Sequence, residues 1–406
     1  METAGRTELT VLVLSWLIAD GAMAILIHLS RRFGWFDRPG GHKTHRDPTP
    51  VLGGVGIFIA LVISLPLAGR PANPELSQPI LGMLIGSTIL LGMGIIDDFR
   101  PINAVVKLCV LTTVTVVISR MGICVSIFPG GSDNPLNLLI TLIWIVGVTS
   151  ATNSLDHANG TAAGSVAIAC GAVFIMALGR GAEPAQFWLA SIAVALAGSC
   201  AGFLRHNLSG GKIFLGDNGS LLLGFLAATN LVFARWSEDP LKSMILPGVI
   251  LTVPLYDITL STILRVKNGV VGSIREAIVY CGKDHLAHRL AALGFGKRLT
   301  LVAIYSLGLV SGAFALAIQG LESRLAYLSV FAVFLGLLVV LGMVLDRAPV
   351  HPRRPAAPTP RGCGDDAFAP GDLQATGERR EPREWVDPSP RRRSRTGAPP
   401  PAVPMA

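Results

Sequence analysis

Two adjacent carboxylates, Asp97-Asp98, close an apolar run that reads Gly94-Ile95-Ile96-Asp97-Asp98-Phe99-Arg100. Such a pair at a membrane edge is costly unless it binds a cation or exchanges protons. Lys107 follows near the start of the next apolar run, where an ammonium can hold a phosphate as a point charge. Helix-capping carboxylates with a snorkelling lysine are the plain alternative. Gly216-Asp217-Asn218-Gly219-Ser220 precedes another apolar run. Its glycines allow a tight turn and close approach of the backbone to a ligand. Asp217 is a hard-cation ligand, Ser220 can cap the helix, and the helix N-terminus suits an anion. A simple N-cap turn is the alternative. Asn153-Ser154-Leu155-Asp156-His157-Ala158-Asn159-Gly160 gathers two carboxamides, a carboxylate and an imidazole. Amides can ligate a metal or read a nucleobase edge; a polar turn that satisfies helix ends needs the same residues. In Asp284-His285-Leu286-Ala287-His288-Arg289 the spacing predicts that His285 and His288 share a helix face. With Arg289 they form a cationic patch suited to a diphosphate. A zinc pair is weaker, because no third close ligand follows. The loop 36–54, dense in Pro and Gly, is a stiff cationic loop through Lys43, His45 and Arg46, fit for a substrate or for the lipid surface.

These clusters must be positioned by apolar elements. Runs near 8–30, 51–69, 78–96, 104–121, 136–152, 162–180, 186–204, 219–235, 244–264, 299–319 and 326–346 are each read as a bilayer span. In lipid every backbone group must be bonded internally, so the fold is an all-α, polytopic membrane helical bundle of about eleven transmembrane helices. The weakest span is 51–69, with four glycines and Pro66 near its end. The first reads as a signal anchor, being too long for a signal-peptide core. Hydrophobic residues make up 51% of the chain and charged residues only 15%, well below the quarter or so of a soluble protein. The clusters follow the first, third, fifth, seventh and ninth spans, so all open on one face. Loops 31–50 and 265–298 on that face are rich in Lys and Arg, while opposite loops hold mostly single charges such as Arg70, Arg120, Arg180 and Arg324. That bias makes the cluster face cytoplasmic, with the N-terminus outside and the C-terminus inside. The net charge of +8 comes from this bias and from a basic tail, so nucleic-acid binding is not inferred. Residues 1–346 form the membrane domain. Residues 347–406, rich in Pro, Arg and Gly, are expected to be a disordered cytoplasmic tail. Six scattered cysteines, none in a CxxC pair, support neither a disulfide framework nor a zinc site.

Taken together and in this order, the motifs resemble those of the polyprenyl-phosphate N-acetylhexosamine-1-phosphate transferase superfamily, over roughly residues 30–310. The resemblance implies catalytic roles for Asp97, Asp98, Asp156 and Lys107, with the Asp-Asp pair near the polyprenyl phosphate and Lys107 on phosphate. It implies Asp217, with Asn153, as ligands of Mg²⁺, for which Mn²⁺ can substitute. Lys43, His45, Asn159, His285, His288 and Arg289 become substrate-binding residues. The family's Asn-x-x-Asp-Gly-x-Asp-Gly loop departs here at two places: His157 stands for Gly, and Asn159 for the second Asp. Asn159 therefore cannot act as a base, and contact with uracil is implied instead. The family's last loop often reads His-x-His-His-Arg-Leu; here Ala287 replaces the middle His. The long His-His-His signature of the peptidoglycan branch is absent, which favours a simple UDP-N-acetylhexosamine over a peptide-bearing sugar.

The implied reaction is attack by an undecaprenyl phosphate oxygen on the β-phosphorus of a UDP-sugar, with release of UMP. It would open a cell-envelope polysaccharide pathway such as O-antigen synthesis, at the inner membrane with a cytoplasmic site. The expected partners are the UDP-sugar, undecaprenyl phosphate and the bilayer, with no nucleic acid and a homodimer as the oligomer to test. A phospho-MurNAc-pentapeptide transferase is the nearest alternative, and a secondary transporter is the alternative of another class. Transport sites lie near the midplane, however, and here the charged groups gather at loop ends, apart from Asp20 and Asp257.

Overall fold

The computed structural model describes residues 2–36, 48–69, 71, 74–179, 184–233, 236–273, 276 and 282–350. The described residues contain thirteen α-helices and no β-sheet. In chain order they are α1 (Glu2–Phe33), α2 (Gly53–Ser64, extended by a 3₁₀ turn Leu65–Ala68), α3 (Pro74–Phe99), α4 (Ala104–Arg120), α5 (Pro135–Leu155), α6 (Thr161–Leu178) and α7 (Pro184–Leu208). There follow α8 (Gly216–Phe233), α9 (Pro240–Ile250), α10 (Thr252–Lys267), α11 (Leu286–Ala292), α12 (Lys297–Gly320) and α13 (Arg324–Leu345). Loop residues set the starts. Asn103, Asn134 and Asp239 each accept a backbone N–H two residues on, from Val105, Leu136 and Leu241. Pro135 and Pro240 occupy first helical positions, where no donor is needed.

The all-α membrane bundle expected from the sequence is present, and the described residues support fewer candidate spans than the eleven expected. Seven described helices are long and apolar enough to cross a bilayer: Gly5–Phe33, Glu75–Phe99, Pro135–Leu155, Thr161–Leu178, Pro184–Leu208, Lys297–Gly320 and Arg324–Leu345. There are eight if α9 and α10 count as one. The shortfall has physical causes. The α2 helix has 12 residues, roughly 18 Å of rise, against a hydrocarbon core of about 30 Å. The α4 helix stops at 17 residues, and α8 spends its first turn on Asp217 and Asn218 and carries Asn230 further on. The run expected as one span over 244–264 is two helices that meet at Leu251 with a bend of 81°. Pro254 brings no N–H to the ladder and Pro247 lies in the preceding turn, so the helix cannot pass straight through.

Close helix contacts rest on small residues, as in other membrane bundles. The α1 and α7 helices touch at Gly202, where a Cβ would lie 2.6 Å from the Trp16 carbonyl oxygen. At Gly94 a Cβ would lie 2.3 Å from the Asn218 Cα, so only glycine lets α3 meet the start of α8. That contact sets the site. The expected tail from 347 onward falls, after Val350, outside the described residues.

Candidate active site at the ends of α3, α5 and α8

The end of α3, the end of α5 and the start of α8 converge, and each delivers polar groups to one place. Asp98 Oδ1 accepts the Asp217 backbone N–H at 2.8 Å. Its Oδ2 accepts the Asn218 backbone N–H at 3.1 Å and the Asn218 Nδ2 at 2.6 Å. A carboxylate from α3 thus occupies the anion seat at the N-terminus of α8. Asp97 Oδ1 accepts the Ile102 backbone N–H at 2.6 Å, and its Oδ2 receives Lys107 Nζ at 2.6 Å. The same ammonium reaches Asp217 Oδ2 at 3.0 Å. Asn153 Nδ2, from the last turn of α5, donates to Asp217 Oδ1 at 3.1 Å and to Ser220 Oγ at 2.8 Å. Asp97, Asp98, Lys107, Asn153 and Asp217 therefore meet, in keeping with clusters that open on one face. One detail differs: α8 begins at Gly216, so Ser220 lies inside the helix and donates to the Gly216 carbonyl at 3.0 Å instead of capping the end.

Asp156 follows α5 directly. Burial, then the charges of Asp217 and Asp98, push its carboxyl up to about 8. This corner thus holds four carboxylates against one ammonium. No three His, Cys, Asp or Glu side chains among the described residues converge as a closed metal cage. A hard cation that takes one or two protein oxygens and completes its shell on substrate phosphates fits such a corner, with Asp217 and the Asn153 amide as the groups able to hold it.

A second cluster lies beside the first. Asp257, inside α10, accepts His285 Nδ1 at 2.8 Å. The His285 Nε2 lies 3.1 Å from the Arg265 guanidinium, which forks onto Asp284 at 2.7 and 2.6 Å. Guanidinium only donates, so this bond needs His285 Nε2 as acceptor and leaves Nδ1 to donate to Asp257. The expectation that His285 and His288 share a helix face is corrected: His285 is the extended residue preceding α11, and only His288 is helical. His285 and Arg289 are turned inward, at 4% and 1% exposure, whereas His288 is half-buried. Burial, then His285, lowers the His288 pKa.

His157 joins the two clusters. Its ring stacks on His285 with centroids 4.2 Å apart and planes 25° apart, and meets His288 edge-on at 6.1 Å. The protein packed around it, then His285, pulls its pKa down to about 4, although part of the residue is open to solvent. The loop is held at Gly160 (φ 81°), whose carbonyl accepts the Tyr305 hydroxyl at 2.9 Å. Asn159 is exposed, with its Nδ2 3.4 Å from the Asn207 carbonyl. Lys43 and His45 lie outside the described residues. The segment after them is tied in: Gly53 N–H donates to Phe214 O at 3.0 Å, and Phe214 N–H to Pro50 O at 2.8 Å.

Sequence reasoning assigned no site role to Asn218, Arg265, Asp284 or His157. Asn218 occupies the variable place in Gly-Asp-x-Gly-Ser, yet it is wholly buried between Asp98 and the Val51 carbonyl. For Arg265 a signal existed: it lies eight residues after Asp257, on the same helix face. Away from the site, a cavity of about 390 Å³ lies among Trp144, Trp236 and Pro247 at the far end of α8, roughly 26 Å of helix from Asp217.

A bundle of several apolar helices with acidic groups, one ammonium and imidazoles gathered among the helix ends defines a class, a multi-pass membrane protein with a polar site. Comparison with known proteins narrows it. The family model for glycosyl transferase family 4 matches residues 80–235. A probable undecaprenyl-phosphate N-acetylglucosaminyl 1-phosphate transferase of Bacillus subtilis is 30% identical over 337 residues, 80% of this chain and 86% of that protein. A decaprenyl-phosphate N-acetylglucosaminephosphotransferase of Mycobacterium tuberculosis is 30% identical over 304 residues, 68% of this chain and 74% of that protein. A phospho-N-acetylmuramoyl-pentapeptide-transferase of a Geobacillus species is 27% identical over 330 residues, 76% of this chain and 96% of that protein. The chain belongs to glycosyl transferase family 4, within the polyprenyl-phosphate N-acetylhexosamine-1-phosphate transferase superfamily. The transporter reading gains no support from these relatives.

Proposed function

We propose that the protein transfers N-acetylglucosamine-1-phosphate from UDP-N-acetylglucosamine to undecaprenyl phosphate, releasing UMP, at the cytoplasmic face of the membrane. The observation that carries this reading is the Asp97–Lys107–Asp217–Asn153 junction, where one ammonium bridges two carboxylates and Asp217 also accepts from the Asn153 amide. The names of the relatives support the acceptor and sugar classes. The bias of Lys and Arg toward the loops on this face supports the cytoplasmic side.

The chain's own groups divide the work. Lys107 holds a phosphate oxygen of the lipid acceptor or of the donor diphosphate. Asp97 orients Lys107. Asp98, with both oxygens on the start of α8, fixes Asp217 from behind. A phosphate monoester is already mostly ionised near neutral pH, so positioning of the attacking oxygen outweighs proton removal. Asp217, with Asn153, would hold Mg²⁺, which when bound would offset the charge on the transferring phosphoryl group. His288 lies beside the donor diphosphate, His285 is a positioning residue, and Asn159 faces the nucleoside. Entry into a cell-envelope polysaccharide pathway follows from the product, a sugar on a membrane diphosphate.

The test is UMP release by purified protein supplied with undecaprenyl phosphate and a panel of UDP-sugars. Asp217→Asn should abolish release while the protein keeps its thermal unfolding profile. Full turnover by that variant in Mg²⁺ would sink the assignment.

A further inference from the structure

The loop between α5 and α6 brings to the site an imidazole to which no role has been given. Its position is firmly set. His285 cannot move without breaking its bonds to Asp257 and Arg265, and Arg265 is itself forked onto Asp284. His157 lies flat against that ring. Its backbone is held as well. The His157 N–H donates to the Leu155 carbonyl at 2.9 Å, and the Thr161 hydroxyl donates to the Leu155 and Ala158 carbonyls at 2.8 and 2.7 Å. Tyr305 holds Gly160 three residues on. His157 is therefore a surface residue built into a rigid frame.

Three imidazoles meet here, but only His157 and His288 are open to solvent. They are not part of a metal cage among the described residues. His157 directly follows Asp156, whose carboxyl feels the charges of Asp217 and Asp98, so this turn links the carboxylate corner to the imidazoles. On its other side stands His288. An imidazole in that gap can turn an N–H toward an anion without adding a fixed charge.

We propose that His157 is a further substrate-contacting residue, which together with His288 hydrogen-bonds the sugar-side phosphate of the donor, with His285 as the fixed wall behind it. The proposal rests on the reading that the donor is a UDP-sugar. It explains why a ring is tolerated in this turn: the wall that stops its movement also presents its edge to the ligand.

The experiment is calorimetry on the full-length protein in detergent, without lipid acceptor, using UMP, UDP and UDP-N-acetylglucosamine. His157→Phe keeps the stacked ring and removes both nitrogens. It should raise Kd for UDP and for UDP-N-acetylglucosamine by roughly tenfold, the loss of one hydrogen bond to a charged group, and leave UMP affinity unchanged. His157→Gln restores a donor and should recover part of the loss. Equal thermal unfolding of the variants establishes that they are folded. The role of His157 is overturned if His157→Phe binds UDP as the wild type does, or if UMP affinity falls as far as UDP affinity. The two readings fail separately: a wild type that releases no UMP from any UDP-sugar overturns the proposed function, whereas an active wild type matched in UDP affinity by His157→Phe overturns only this contact.

Discussion

Asp98 accepts three N–H groups, all from the first residues of α8. A carboxylate so engaged works as a cap supplied from another helix, and its removal should be felt first as stability. Asp98→Asn sets an amide nitrogen against those donors. It should cost on the order of 1.5–3 kcal/mol, read as a lower Tm in detergent, together with reduced UMP release. Unchanged Tm would show that the seat is not structural. Asp156 gives a pH signature. Its carboxyl is raised to about 8 from an ordinary value of 3.8, so the folded state keeps a proton that the unfolded chain releases. The stabilisation from that proton is complete below the unfolded value and is lost as pH rises through about 8. With a chelator present, Tm of the wild type should fall between pH 5 and pH 9 by more than that of Asp156→Asn; parallel curves would refute the shift. At this scale the sequence was legible in residue type but not in orientation. Asp97, Lys107, Asn153 and Asp217 were found because charged and amide groups beside apolar runs stand out. Asn218 was missed because a buried amide and a solvated one look alike in a string, and its partners lie more than a hundred residues away.

Among the elements, the break between α9 and α10 does most to shape the site. After an 81° turn, α10 carries Asp257 and Arg265 to Asp284 and His285. Arg265 and Asp284 are 4% and 1% exposed, so each is a buried charge that depends on its partners. Asp284→Asn or Arg265→Met alone should cost about 3–5 kcal/mol of stability, because a charge is left uncompensated. The double variant Arg265→Met/Asp284→Asn leaves no unpaired charge and should recover much of that loss in a thermal unfolding cycle. Strict additivity of the two single losses would refute the coupling. The bend was hidden in the sequence because 244–264 averages as one apolar run, and hydropathy does not register where Pro254 interrupts the ladder. The α2 segment was the reverse case: its glycines and Pro66 already marked it as weak, and it forms 12 residues of α-helix followed by a 3₁₀ turn.

For the whole molecule, the membrane class followed from composition alone, since 15% charged residues cannot cover a soluble protein of this length. The number of passes did not, because apolar stretches buried inside a bundle read the same as stretches facing lipid. The contrast is visible between α7, mostly enclosed, and α13, whose Val333, Leu337, Val339 and Val340 are exposed. Every group assigned to the site lies before residue 290, so a chain ending at Val350 should release UMP at the full-length rate; loss of most activity in a folded truncation would give the remaining residues a role. One bond links the bundle to the chemistry in a further way. Tyr305 belongs to the crossing helix α12, yet its hydroxyl holds the Gly160 carbonyl in the loop that carries Asp156 and His157. Helices tilt when the lipid around them thins or thickens, and a tilt of α12 pulls on that loop. Turnover in vesicles of graded acyl-chain length should then pass through an optimum, and Tyr305→Phe should flatten it, so that bilayer thickness itself becomes an input to catalysis.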